Sequence, residues 1–225
     1  MITYLLPIIS VAIGFFIVLL LKPEKKSNLK LLLAFSGAFL LGITIFEMLP
    51  EIFHDHENSK TISLFIVLGI LLQICLEFFS KGAEHGHVHI NDKENKFPWV
   101  LFISLSVHSI IEGSPLAHHD HILYGIVVHK IPVVIVLSTF FLKSDLKNWT
   151  IAVFLILFSL MTPLGTYLNN EIPVLAEYSS HLMAMAVGIF LHISTTIIFE
   201  SSDNHKFNLV KLLVISSGLI SAYFI

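Results

Sequence analysis

The sequence predicts an all-α membrane protein: a bundle of eight transmembrane helices with both termini outside. Three observations carry that reading. Of 225 residues, 55% are hydrophobic and 13% charged, a balance outside the range of soluble globular domains. The apolar residues fall into runs of about 20, the length a helix needs to cross a bilayer. The lysines gather at the ends of alternate runs.

In order, the runs are 2–21, 31–49, 61–79, 98–117, 122–142, 149–168, 181–200 and 208–225. No basic segment precedes the first, which is too long for the apolar core of a signal peptide. Lys22, Lys25 and Lys26 follow it as a cytoplasmic flank, so it reads as a span. With the N-terminus outside, inner loops and helix ends hold Lys22, Lys25, Lys26, Lys30, Lys81, Lys93, Lys96, Lys143, Lys147, Lys206 and Lys211. The outer loops hold Lys60 alone, and Lys130 lies within a run. Eleven against one is a strong positive-inside bias counted over short loops. Residues 1–225 thus read as one multi-pass integral membrane domain, with no room for a separate soluble catalytic unit. A net charge of −3 without a basic arm leaves nothing to hold nucleic acid. Cys75 is the sole cysteine, which excludes a disulfide within the chain and a thiolate metal cluster.

Most connections are short. The longest, residues 80–97 on the inner side, is polar and without apolar periodicity, and His85, His87 and His89 alternate within it. Neutral imidazole suits zinc, copper and nickel. The tract reads either as loose metal capture or as a polar connector with incidental histidines. A second cluster, His54, Asp55, His56 and Glu57, falls on the outer side, and a third comprises His118, His119, Asp120 and His121. A short echo, Gly37-Ala38-Phe39-Leu40 against Gly188-Ile189-Phe190-Leu191, falls on the second and seventh spans, which run in opposite directions. Four residues match easily by chance, yet they point to a 3+2+3 arrangement. In it the first three and last three spans are inverted repeats around the fourth and fifth.

Ionisable groups at membrane depth are costly and mark a pathway or a site. The fourth span carries His108 and Glu112, one helical turn apart on one face; the fifth carries His129 and Lys130. A short connection makes these spans antiparallel neighbours. At ~1.5 Å per residue, His108 and His129 lie roughly 15 and 12 Å below it, in the middle of a core about 30 Å thick. Two imidazoles and a carboxylate therefore converge at the midplane. Pro115 and Pro132 each follow a site residue by three positions. Each is expected to free the carbonyl four residues earlier, at Ile111 and Val128, and so to break its helix beside a cavity.

These residues resemble a known family. His108-Ser109-Ile110-Ile111-Glu112-Gly113 matches the H-[NS]-x-x-E-G signature of the ZIP (Zrt/Irt-like) metal transporters, and Val128-His129-Lys130 matches their helix 5 motif in the branch reading H-K. Gly42 to Glu51 is similar to the segment ending in LLPE, and Ala186 to His192 to the A-x-G-x-F-L-Y segment. The resemblance implies uptake of zinc or a related ion (cadmium, iron, manganese) into the cytosol, as substrate rather than cofactor, in a multi-pass protein of the cell (inner) membrane. It implies His108, Glu112 and His129 as metal ligands, with Ser109, Lys130, Glu47, Glu51, His192 and Glu200 along the pathway. His54, His56, His85, His87 and His89 would serve as capture groups. A homodimer stays open. The second metal of many members does not carry over: Ser109 stands for a ligating Asn, Lys130 for a bridging carboxylate and Val133 for a glutamate. One metal is expected. Ile197 likewise stands where the family has a carboxylate, with Glu200 a turn on. Two other functions remain: an intramembrane zinc-dependent hydrolase, which shares the three-ligand open site, and a haem carrier ligated by His108 and His129.

Overall fold

A computed structural model of the chain describes residues 1–21, 26–54, 59–80, 82, 97–117, 122–200 and 209–225, with backbone alone at 26–28 and 200. The described residues are helical almost throughout. In chain order the helices are α1 (Ile2–Leu21), α2 (Lys26–Ile43), α3 (Leu49–His54), α4 (Ser59–Ser80), α5 (Trp99–Gly113), α6 (Ile122–Phe141), α7 (Asn148–Glu171), α8 (Pro173–Glu177), α9 (Ser179–Glu200) and α10 (Leu209–Tyr223). A π-helical turn, Thr44–Met48, joins α2 to α3, and a 3₁₀ turn, Ser114–Ala117, continues α5. Among the described residues seven segments are long and apolar enough to cross a membrane, and α10, shorter but apolar, is a plausible eighth.

Burial sorts these helices by depth in the bundle. Of the most apolar stretch of α6, 72% is buried, against 28% in α1 and 22% in α4; α6 is central and the other two are peripheral. On α4 the exposed residues Leu64, Val67, Leu71, Ile74 and Phe78 repeat every three or four positions, an apolar stripe turned outward. On a water-soluble protein such a face would drive association; against lipid tails it is at rest.

The packing partners show a two-fold exchange. α4 lies on α9 as α10 lies on α2, and α1 lies on α6 as α7 lies on α5. Swapping α1 with α7, α2 with α9, α4 with α10 and α5 with α6 maps each of these contacts onto another. These pairings agree with a 3+2+3 arrangement, and the glycine echo falls on α2 and α9; the exchange is incomplete, since α4 also packs on α5 while α10 does not pack comparably on α6.

Close approach between α5 and α7 positions the site described below. A Cβ at Gly113 would run into the Thr162 carbonyl oxygen, and one at Gly165 into that of Ile110. Small residues let membrane helices meet backbone to backbone, and here the meeting falls beside Glu112. The expected proline breaks need correction. In α5 the helix does tighten at Pro115, but the Ile111 carbonyl is not freed, because the Ser114 N–H donates to it. α6 runs unbroken through Pro132.

Substituting Gly165→Ala should force α7 off α5 and lower stability by about 1–3 kcal/mol, the usual cost of overpacking. Thermal unfolding of the purified protein, with the exposed Ser217→Ala as control, reads this. An unchanged midpoint would show that the two backbones tolerate a methyl between them.

Candidate metal centre between α5 and α6

His108, Ser109 and Glu112 of α5 and His129 and Lys130 of α6 are all buried, and the structure brings them together. One turn of α5 sets His108 Nε2 3.1 Å from Glu112 Oε2. The other carboxylate oxygen, Oε1, accepts from Lys130 Nζ at 2.8 Å and from the Thr162 hydroxyl at 3.1 Å. Lys130 also donates to Ser109 Oγ at 3.3 Å and sits 4.9 Å from the centre of the Phe158 ring. Its ammonium is therefore held by a carboxylate, a hydroxyl and an aromatic face, the kind of partners a buried cation requires. The His129 ring stands edge-on to that of His108, with centroids 6.3 Å apart.

A second layer holds the first. Gln73 of α4, fully buried, places Oε1 3.2 Å from His108 Nδ1. If Nδ1–H donates to that oxygen, Nε2 is the ring atom left facing Glu112 Oε2, and at 3.1 Å a proton or a cation must lie between the two acceptors. Metal-binding histidines are commonly oriented in this way. On α7, the buried Ser159, Thr162, Thr166 and Asn169 form a polar stripe at helical spacing. Thr166 donates to the Gly113 carbonyl at 2.8 Å and Asn169 Nδ2 to the Ser114 carbonyl at 3.2 Å. Those carbonyls lie where α5 passes into its 3₁₀ turn, so the stripe satisfies the end of the helix that carries the site. As the side chains stand, no three His, Cys, Asp or Glu among the described residues are grouped to hold an ion. His108 and Glu112 form an edge of such a group, with His129 beside them.

The remaining expected residues lie elsewhere. Glu47 is half-buried in the π-helical turn, and Glu51 is exposed on α3. His54 ends α3, also exposed. His192 meets a partner that the sequence reading did not name, Glu77 of α4. The Glu200 side chain falls outside the described residues. So do His56, His85, His87, His89 and the 118–121 cluster. Sequence reasoning also missed Gln73 and Thr162. Both had a visible signal: Gln73 interrupts an apolar run four residues before Glu77, and Thr162 belongs to the α7 stripe.

Residues 95–225, more than half of the chain and all of α5 and α6, match the family model described as ZIP zinc transporter. The chain belongs to the ZIP zinc transporter family. It is similar to zinc transporter ZIP1 of Danio rerio, 24% identical over 206 residues that cover 80% of this chain and 65% of the relative. It is also similar to protein zntD of Dictyostelium discoideum, 29% identical over 167 residues, 61% of this chain and 24% of that protein. The chain thus spans just under two thirds of the first relative and about a quarter of the second. The family match places the His108–Glu112 turn and the His129-Lys130 pair within its bounds.

Replacing Lys130 with Met should leave Glu112 a buried carboxylate without its ammonium and cost about 3–5 kcal/mol. Replacing both, as Lys130→Met with Glu112→Met, should recover most of that loss, since an apolar pair of similar volume needs no compensation. Denaturant unfolding of the single and double variants in detergent gives the comparison. A double variant no more stable than Lys130→Met would remove the ion pair as the cause.

Proposed function

We propose that the protein carries a divalent metal ion, zinc foremost, across the bilayer into the cytosol through a mononuclear site of His108, Glu112 and His129. One observation carries this reading. Ligand atoms at ~2.0–2.1 Å from a tetrahedral zinc lie about 3.3 Å apart, and His108 Nε2 stands 3.1 Å from Glu112 Oε2. That edge of a zinc shell is already set, with Gln73 fixing the ring. His129 is the neighbouring imidazole that would close on it, and water would complete the shell. Family membership and the printed name of the first relative support zinc as the first candidate; cadmium and iron accept the same imidazole and carboxylate donors, whereas manganese leans toward oxygen. Magnesium and calcium, which want six or more oxygens, suit these donors poorly.

Lys130 explains why one ion is proposed rather than two. Its ammonium occupies the side of Glu112 away from His108, where a bridging carboxylate would stand in a two-metal member. An intramembrane zinc hydrolase would call on Ser109 and Lys130 as general base and oxyanion stabiliser beside the metal-bound water. The ammonium, however, lies nearer Glu112, at 2.8 Å, than Ser109, at 3.3 Å. It serves the carboxylate, and transport is the better reading.

His108→Ala, Glu112→Ala and His129→Ala should each reduce zinc uptake into proteoliposomes to near background at equal protein content. Losing one of about three ligands leaves a shell that cannot replace the ion's hydration. If two of the three variants transport at the wild-type rate, the site assignment is wrong.

Metal content should be mononuclear at this site. Mass spectrometry of protein whose His85, His87 and His89 are changed to Ser should give about one tightly held zinc per chain, and more in Lys130→Glu. About two ions, both lost together in Glu112→Ala, would overturn the single-metal reading.

A further inference from the structure

α4 is apolar along nearly its whole length. Between Ser63 and Ser80 its polar side chains other than Cys75 are Gln73 and Glu77. Their spacing of four puts them on one face, opposite in character to the outward stripe of Leu64, Val67 and Leu71. Gln73 is the residue that holds His108. Glu77, about 6 Å further along the axis, places Oε2 2.6 Å from Nε2 of His192 on α9. Both groups are part-exposed, His192 at 19% and Glu77 at 26%, whereas Gln73 is sealed. The polar face therefore runs from the buried site to a part-exposed imidazole and carboxylate near the end of α4.

The pair is not needed to hold α4 against α9. Their backbones already meet at two glycines: a Cβ at Gly69 would strike the Met185 carbonyl and one at Gly188 the Ile66 carbonyl. A partly exposed ion pair adds little to such a contact. What Glu77 and His192 do reproduce is the donor chemistry of the central site, one imidazole Nε2 and one carboxylate oxygen facing each other.

We propose that Glu77 and His192 form a second, weaker station for a borderline divalent cation, which takes up the ion as it leaves the His108 edge and passes it to water. This rests on the transport reading above. Two protein donors and an open, hydrated side give a site that binds without trapping, as a release step requires. Opening the pair from 2.6 Å to the edge of a zinc shell needs only side-chain rotation. Gln73, which holds His108 through Nδ1, ties the first station to the helix that carries Glu77 of the second.

Cobalt(II), a visible-absorbing stand-in for zinc, tests this on the purified full chain with His85, His87 and His89 changed to Ser. Glu77→Gln with His192→Gln keeps hydrogen bonding across the interface and removes the metal-binding pair; His192→Gln alone is the second, milder variant. The expected result is a loss of about one weakly bound cobalt per chain, with His108 intact and equally in a His108→Ala background. Maximal zinc uptake should fall several-fold while the half-saturating concentration stays near the wild-type value, because the lesion follows entry. Unchanged cobalt binding in both variants would reduce Glu77–His192 to a helix contact and overturn the proposal. Separately, if the pair's cobalt is lost while His108→Ala and Glu112→Ala transport normally, the central site fails and this station stands.

Discussion

The contact on which the rest of the bundle depends is the buried pair of Glu112 and Lys130, 2.8 Å apart with side chains 1–2% exposed. Neither charge is tolerable alone at that depth, so the helices around them are arranged to serve both. α7 approaches α5 closely enough, through Gly113 and Gly165, for Thr162 to reach the carboxylate. Phe158 comes from the same helix to cover the ammonium. α4 delivers Gln73 to the imidazole next to the carboxylate. Four helices are thereby committed to one cluster, and α6, which carries the lysine, is the most buried of the spans.

The scaffold repeats its main pairings where the chemistry does not. The exchange of halves relates α5 to α6, yet α5 carries His108, Ser109 and Glu112 while α6 carries His129, Lys130 and Val133. Their proline responses differ too. α5 tightens into a 3₁₀ turn whose carbonyls are taken by Thr166 and Asn169, whereas α6 passes Pro132 unbroken. A repeat supplies two equivalent frames for packing; divergence of a few side chains then makes one frame the carboxylate side and the other the ammonium side.

What could be read in the sequence follows from what is local. Span positions came from runs of apolar residues, and the fourth- and fifth-span histidines met because their distances from a shared turn are fixed by helix rise. Prolines were less informative. A proline states which N–H is missing, not what takes the orphaned carbonyl, and at Ile111 the answer was the neighbouring Ser114. Gln73 and Glu77 were legible as polar breaks in an apolar run, but their partners, His108 and His192, sit on helices whose contact only the assembled bundle determines. The π-helical turn at Thr44–Met48 left no local mark comparable to a proline or glycine, and it moved Glu47 off the register that an unbroken α-helix would give.

On the single-metal reading proposed above, a lysine in place of a second metal changes more than the ion count. A bound cation can dissociate; an ammonium on a side chain cannot leave, though it can swing. In the structure Glu112 has a positive neighbour at 2.8 Å, and on the proposed reading a divalent ion arriving beside His108 must share a carboxylate already half engaged. Charge repulsion from Lys130 weakens its hold relative to a site with a bare carboxylate. For a storage or structural site that would be a defect. For a conduit it is an advantage, since an ion that is dehydrated at the midplane must still be released. On the proposed reading the polar face of α4 has a physical rationale: Gln73 holds the imidazole of the first station, and Glu77, one helical turn on, supplies a donor for the ion on its way out.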